Sequence, residues 1–310
     1  MIITVTMNPA IDKTAEIATL KPGGLNRLEN IVLDAGGKGI NVSKMIAALG
    51  GDSTATGFLG GGTGKEIITM LQDQQIKTDF VTIKHPTRTN LKVLNRAIGI
   101  TEFNEPGATV TQIETNAIID KLLSYAKPGT TFVLAGSLPH GADIDIYKRI
   151  TASVKEKGAT VFLDTDGEAF SLALSAKPDY IKPNKFELMQ YFGKSGDISV
   201  EECAGLCLEL IRQGVTLVAL SMGADGALFI TKDEKLYAPG LRVNALSTVG
   251  AGDSMVGALV YAFSIGMNLQ DAAALSIAAS AGAVMTQGTK PPSRRAVDEL
   301  LKAVIISTCI

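Results

Sequence analysis

The residues of this chain that can do chemistry gather at glycine-rich turns. The sharpest is Thr248-Val249-Gly250-Ala251-Gly252-Asp253-Ser254, followed by a run of small and apolar residues with helical spacing. Two glycines let the backbone approach a ligand closely. A helix starting there offers free N–H groups and the positive end of its dipole. Gly250, Ala251 and Gly252 would thus form an anion hole for charge developing on a transferring phosphoryl group. Asp253 falls at the same helix start, where a carboxylate can accept the proton of an attacking hydroxyl. The same residues also read as a plain glycine turn with Asp253 as a helix cap, and the motif alone does not decide. Position 255 is Met, so the third glycine of a dinucleotide fingerprint is missing, which argues against a dehydrogenase.

A second turn, Ala35-Gly36-Gly37-Lys38-Gly39-Ile40-Asn41-Val42, also runs into a helix. Lysine, backbone amides and a side-chain amide suit an anionic ligand that carries hydroxyls. It is not a Walker A loop, because position 32 is Val and Lys38 is followed by Gly. Gly61-Gly62-Thr63-Gly64-Lys65-Glu66 fails the same pattern at Leu59 and Glu66 and reads as a strand-to-helix turn. In Lys182-Pro183-Asn184-Lys185-Phe186-Glu187, Asn184 and Glu187 are three apart at a helix start. Such oxygen ligands suit Mg2+ through water, and the same spacing is that of a capping arrangement. Ser221-Met222-Gly223-Ala224-Asp225-Gly226 follows a strand, where open α/β sheets bind ligands; it also reads as a hairpin turn. Asp12 can accept hydrogen bonds from sugar hydroxyls or cap a turn. Arg27 and Arg88 can fork a phosphate or point into solvent.

These turns need elements to carry them. Apolar runs at 2–6, 54–59, 131–135, 161–164, 180–182 and 217–220 read as buried strands. Helical patterns at 39–49, 64–75, 112–125, 144–157, 186–192 and 200–213 alternate with them, and 252–265, 269–286 and 293–304 add a helical C-terminal third. Alternation of this kind predicts a mostly parallel sheet with helices on both faces. Residues 12–34 and 87–104 break it with short polar–apolar runs, predicting inserted strands that form a small β lid on a single α/β domain over 1–310. The 310 residues, 46% of them hydrophobic, suffice for a sizeable core. Net charge is −2, with no basic patch for nucleic acid, so a small-molecule partner is expected. Cys203, Cys207 and Cys309 make no disulfide framework, and with only His85 and His140 a zinc site is poorly supported. The most apolar long stretch, 271–285, is too short and too rich in small residues to span a bilayer. The N-terminus lacks a basic leader, so a reducing cytoplasm is the expected compartment.

Taken in order, Asn8-Pro9-Ala10-Ile11-Asp12, Gly36-Gly37-Lys38-Gly39-x-Asn41, Gly136-Ser137-Leu138-Pro139, Lys182-Pro183-Asn184-x-x-Glu187, Ser221-Met222-Gly223-x-x-Gly226 and Gly250-Ala251-Gly252-Asp253 resemble the PfkB carbohydrate kinases, part of the ribokinase-like group. The resemblance spans essentially the whole chain. It implies a ribokinase-like three-layer α/β sandwich and transfer of a phosphoryl group from ATP, with Mg2+, to a sugar hydroxyl. The opening Thr-Met-Asn-Pro-Ala-Ile-Asp resembles the branch acting on sugar phosphates. Thr87-Arg88-Thr89-Asn90-Leu91-Lys92 with Thr101-Glu102-Phe103-Asn104 looks most like the members that phosphorylate D-fructose 1-phosphate at O6, which the resemblance implies as the reaction, with tagatose 6-phosphate or fructose 6-phosphate as alternative acceptors. By resemblance Asp12, Gly37, Asn41 and Asn90 would hold the sugar. Lys38, Arg27 and Arg88, assisted by Ser137, would hold its phosphate. Lys182, Asn184, Ser221, Met222, Gly223, Ala224, Asp225, Gly226 and Gly252 would line the nucleotide, with Asn184 and Glu187 placing Mg2+ through water. In related kinases the lid also pairs subunits, so a homodimer through it is implied. A sugar-phosphate-binding protein without catalysis is the reading from another class, and Asp253 argues against it.

Overall fold

The computed structural model describes residues 1–95 and 99–308; Cys309 lies outside them. Its strands are β1 Ile2–Thr6, β2 Ala10–Glu16, β3 Glu29–Gly36, β4 Thr54–Gly60, β5 Lys77–Thr78, β6 Val81–Ile83, β7 Arg88–Asn95, β8 Gly99–Phe103, β9 Thr131–Ala135, β10 Thr160–Asp164, β11 Tyr180–Ile181, β12 Leu217–Ser221, β13 Ala227–Ile230, β14 Lys235–Ala238 and β15 Ser307–Thr308. Its helices are α1 Lys38–Ala48, α2 Gly61–Asp73, α3 Gln112–Tyr125, α4 Ile146–Glu156, α5 Gly167–Leu174, α6 Lys185–Tyr191, α7 Val200–Arg212, α8 Ala251–Ser264, α9 Leu269–Val284 and α10 Arg294–Leu301.

Eleven strands form the main sheet, in the order β15-β14-β13-β12-β11-β10-β9-β1-β4-β5, with β6 also on β4. From β12 through β5 the pairs are parallel, while β12–β13–β14–β15 run antiparallel. Parallel strands buried on both faces read as near-continuous apolar runs. β10 shows it: Val161 and Leu163 enter the core beneath α3, α4 and α7, and Phe162 enters the opposite core beneath α1, α8 and α9. Both helical layers are therefore required by the strand sequences themselves. Helix starts follow local chemistry, since Thr111/Glu114, Asn184/Glu187 and Ser199/Glu202 form capping boxes for α3, α6 and α7.

The strand runs and helical periods expected from the sequence fall on these elements. The eight-residue α5 has no counterpart among the expected helices; it starts at Asp166 without a side-chain cap, so no capping signal marks it. Cys203 and Cys207 are free thiols on the buried face of α7. No helix among the described residues is long and apolar enough to cross a membrane.

A second sheet has the order β3-β2-β7-β8. β2 and β7 pair in parallel, with Asp12 opposite Asn90 and Thr14 opposite Lys92. Its two faces differ. Asp12, Asn90 and Lys92 lie on one. Ile31, Leu33 and Phe103 lie on the other and are exposed to 50%, 40% and 55%.

Candidate active site

Because β1, β9, β10, β11 and β12 run in parallel, their carboxyl ends share one edge. Asn8, Gly136–Ser137, Asp164, Lys182 and Ser221 all emerge there, the edge at which open α/β sheets bind ligands. α1 and α8 both start at this edge on glycines, without any side-chain cap: Gly37 has φ 114° and Gly250 φ 82°. At α8 the first intrahelical bond runs from the Ser254 N–H to the Gly250 carbonyl, so the N–H groups of residues 251–253 have no partner within the helix.

α1 and α8 pack closely because position 257 is Gly; a Cβ there would lie 2.7 Å from Met45 Cβ. That contact brings together residues 212 apart in sequence. Asn41 Nδ2 donates to Asp253 Oδ2 at 2.7 Å in a buried hydrogen bond, and Asn41 Oδ1 is buried without a partner. Beside them Asp164, with a side chain 0% exposed, accepts from Lys38 Nζ at 2.9 Å and pairs with Lys182 Nζ at 3.7 Å. Its Oδ2 is buried and unpaired. Lys182 in turn overhangs the α8 start, where a Cβ on Gly252 would lie 3.0 Å from its Nζ. A side chain at 252 would thus press on the ammonium above it.

The charges in this cluster act on one another. Burial raises the Asp253 carboxyl above its ordinary range, and the negative Asp164 raises it further; the Asn41 hydrogen bond, Lys38 and Lys182 pull it back only in part. Burial pushes Asp164 the same way, but Lys182 and Lys38 outweigh it and hold that carboxyl below its ordinary range. Lys38 loses by burial and gains more from Asp164 and Asp253, so it stays firmly charged. Two buried carboxylates thus have opposite tendencies, the pattern expected of an acid–base site.

The sugar-side candidates form a second group. Asp12 Oδ1 accepts from Asn90 Nδ2 at 3.0 Å and Oδ2 from Lys92 Nζ at 3.3 Å. A Cβ on Gly36 would lie 2.6 Å from Asp12 Oδ2, so the glycine of this turn makes room for the carboxylate. Arg88 spends Nη1 on the Glu105 carbonyl and Nη2 on the Asn8 carbonyl, at 2.8 and 2.9 Å, and its Nε is buried without a partner. Asn8 Nδ2 also reaches Ser137 Oγ at 3.4 Å. Arg27 stands apart on the exposed loop between β2 and β3.

The third group lies at the next strand ends. Asn184 bridges to Ser221, and Ser221 N–H donates to the Pro183 carbonyl at 3.1 Å. The 222–226 turn holds a short 3-10 helix, Gly223–Asp225, then Gly226 at φ 95°. Asn184 and Glu187 form a reciprocal capping box, Glu187 N–H to Asn184 Oδ1 and Asn184 N–H to Glu187 Oε2. Among the described residues no three His, Cys, Asp or Glu side chains converge as a metal-holding group.

Sequence reading missed Asp164, Lys92 and the buried Lys44. Asp164 had a usable signal, a carboxylate ending an otherwise apolar buried strand. Lys92 had a weaker one, its period-2 spacing from Arg88 and Asn90.

Comparison with known proteins gives the family and the fold. Residues 1–296 match the family model described as pfkB family carbohydrate kinase. The 1-phosphofructokinase of Bacillus subtilis strain 168 is 35% identical over 287 residues, covering 93% of each chain. The D-tagatose-1-phosphate kinase of Bacillus licheniformis is 33% identical over 284 residues, covering 92% of each. Among solved structures, Escherichia coli phosphofructokinase-2 in complex with substrates and products superposes with a TM-score of 0.93 at 30% identity, over 97% of this chain and 98% of that one. Thermotoga maritima ribokinase shares the fold, with a TM-score of 0.78 at 24% identity over 97% and 99%.

Proposed function

This chain belongs to the pfkB family of carbohydrate kinases, and from that premise we propose that it transfers the γ-phosphoryl group of ATP to O6 of D-fructose 1-phosphate. The coarser statement holds without the proposal: it is a phosphotransferase acting on an alcohol group of a phosphorylated sugar, with ATP as donor. The observation that carries the mechanism is the buried Asp253, held by Asn41 at an uncapped helix start under Lys182.

Asp253 takes the O6 proton as O6 attacks the γ-phosphorus. The bond to the β-phosphate oxygen breaks and ADP leaves. The free amides of Ala251, Gly252 and Asp253 meet the charge on the transferring group. Because Asn41 occupies Oδ2, Oδ1 is left to receive the proton. Asp12, Asn90 and Gly37 hold sugar hydroxyls. Lys38, Arg27, Arg88 and Ser137 serve the phosphate already present, with Arg27 swinging in from its loop. Lys182 and the Ser221–Gly226 turn line the nucleotide. The second sheet acts as a lid whose polar face covers the acceptor and excludes water, since ATP hydrolysis is the competing reaction. Its opposite, apolar face, with Ile31, Leu33 and Phe103, pairs two copies; a monomer in sedimentation velocity counts against that part.

Mg2+ fits the donor set, because it takes one or two carboxylates and fills its shell with water and phosphate oxygens. When bound it would neutralise charge between the β- and γ-phosphates. Glu187 would hold it through water by Oε1, with Oε2 committed to the cap. Gln serves equally well at this capping position but lacks the charge. Glu187→Gln is therefore expected to keep the melting temperature while raising the Mg2+ concentration needed for half-maximal rate. Lower stability with an unchanged Mg2+ requirement would show a cap and nothing more.

The acceptor is tested by coupled ADP release with fructose 1-phosphate, tagatose 1-phosphate, tagatose 6-phosphate and fructose 6-phosphate side by side. The highest kcat/KM is expected with fructose 1-phosphate. Tagatose 1-phosphate is the second reading, favoured by the similarity to the Bacillus licheniformis kinase. A preference for either 6-phosphate would overturn the proposed acceptor.

A further inference from the structure

Lys44 lies on α1 and has no part in the steps above. It is 2% exposed. Its Nζ donates to the Ala35 carbonyl at 3.1 Å and to Thr289 Oγ1 at 3.4 Å, and neither partner is charged. Burying an ammonium with no carboxylate in contact is costly. Burial draws its pKa below the ordinary lysine value; the fields of Asp34, Asp12 and Asp253 oppose that, and that of Lys92 adds to it.

The two partners belong to different parts of the site. Ala35 is near the end of β3, immediately before the Gly36-Gly37-Lys38 turn. Thr289 is in the turn after α9, and this turn touches both regions as well. A Cβ on Gly288 would lie 3.3 Å from Asp34 Oδ2 and 3.8 Å from Thr14 Oγ1, so the turn abuts β2 and β3. A Cβ on Gly250 would lie 3.7 Å from Thr289 Cα, so Thr289 backs the turn that opens α8. The second sheet, the 288–289 turn and the α8 start are thus one packed series, and Lys44 bonds to the first two of them.

We propose that Lys44 is a positioning residue that couples acceptor binding at the second sheet to the geometry of the α8 start, so that phosphosugar and nucleotide bind cooperatively. The proposal rests on the kinase reading above. Seating the acceptor against Asp12 and Asn90 fixes β2 and β7, and β3 through its pairing with β2. Lys44 transmits that position to Thr289, and Thr289 to Gly250, where the anion hole begins. Thermodynamics makes the effect mutual: nucleotide must tighten the acceptor by the same factor.

The test is calorimetric titration of the full chain with a β,γ-imido ATP analogue and Mg2+, with and without saturating fructose 1-phosphate, and the reciprocal titration. In the wild type, acceptor is expected to tighten the analogue about 10-fold. Thr289→Val removes the hydroxyl and keeps the shape; Lys44→Met removes the ammonium. In both, the coupling factor is expected to fall to about 3 or less, with each single-ligand Kd within about 3-fold of wild type. Should Lys44→Met not fold, Thr289→Val decides alone. A coupling factor unchanged in Thr289→Val overturns the proposal. So does a uniform loss of both affinities with coupling retained, which is the mark of a merely structural residue, and so does a wild type without coupling. If the wild type binds neither ligand, the kinase reading falls and takes this inference with it; if it binds both, only the inference is at stake.

Discussion

Asp253→Asn is expected to lower kcat about 10²–10⁴-fold, the usual contribution of a general base, with the affinity for the ATP analogue within a few-fold of wild type. The amide keeps the shape and can still accept from Asn41 Nδ2, so the 2.7 Å contact survives in outline. What it loses is the ability to take a proton. Stability should move the other way. Burial and Asp164 hold the Asp253 pKa above its unfolded value. A group shifted in that direction costs stability as pH rises from the unfolded pKa through the folded one, and the cost persists at neutral pH. The asparagine variant carries no such cost. At pH 7 its Tm should therefore equal or exceed the wild-type value, with the advantage vanishing in acid, where both side chains are neutral. A kcat within a few-fold of wild type in the ADP-release assay would falsify the assignment of the base. Lost activity accompanied by a lower Tm would show instead that Asp253 holds the fold.

Asp164→Asn should cost both stability and rate, because it removes the anion that pairs with both Lys38 and Lys182. Removing one member of a buried ion pair costs about 3–5 kcal/mol. Lys38, whose side chain is 32% exposed, can turn toward water, whereas Lys182 at 6% cannot. A loss of roughly 2–4 kcal/mol in denaturant unfolding at pH 7 is therefore expected. The folded pKa of Asp164 lies below its unfolded value. Its contribution is present above the unfolded pKa and fades as pH falls through the folded one, so the two proteins should converge in strong acid. The rate profile gives an independent check. Asp164 raises the pKa of Asp253, while Lys38 and Lys182 lower it. Without Asp164 both influences point down, and the acid limb of kcat should move to lower pH. An acid limb moving upward would mean that the lysines had left the site, and the electrostatic description of it would be wrong.

The sequence of this protein by itself determined its local features. Strands buried on both faces are predominantly apolar, so 2–6 and 131–135 are legible as runs. Capping pairs such as Thr111/Glu114 mark where helices begin. Glycines before Lys38 and Asp253 mark turns that open helices, and the order of six short motifs is enough to assign the family. α5 escaped because eight residues without a cap carry neither a long period nor a start signal. What only the tertiary structure decided was which charges meet. Asn41 reaches Asp253 across 212 residues and Lys38 reaches Asp164 across 126. No periodicity encodes such pairs, because they follow from the parallel strand order and from α1 crossing α8 at Gly257. Glu187 shows the same division. Its spacing from Asn184 suited both a cap and a cation, and the fold made the cap with one carboxylate oxygen and left the other outside it.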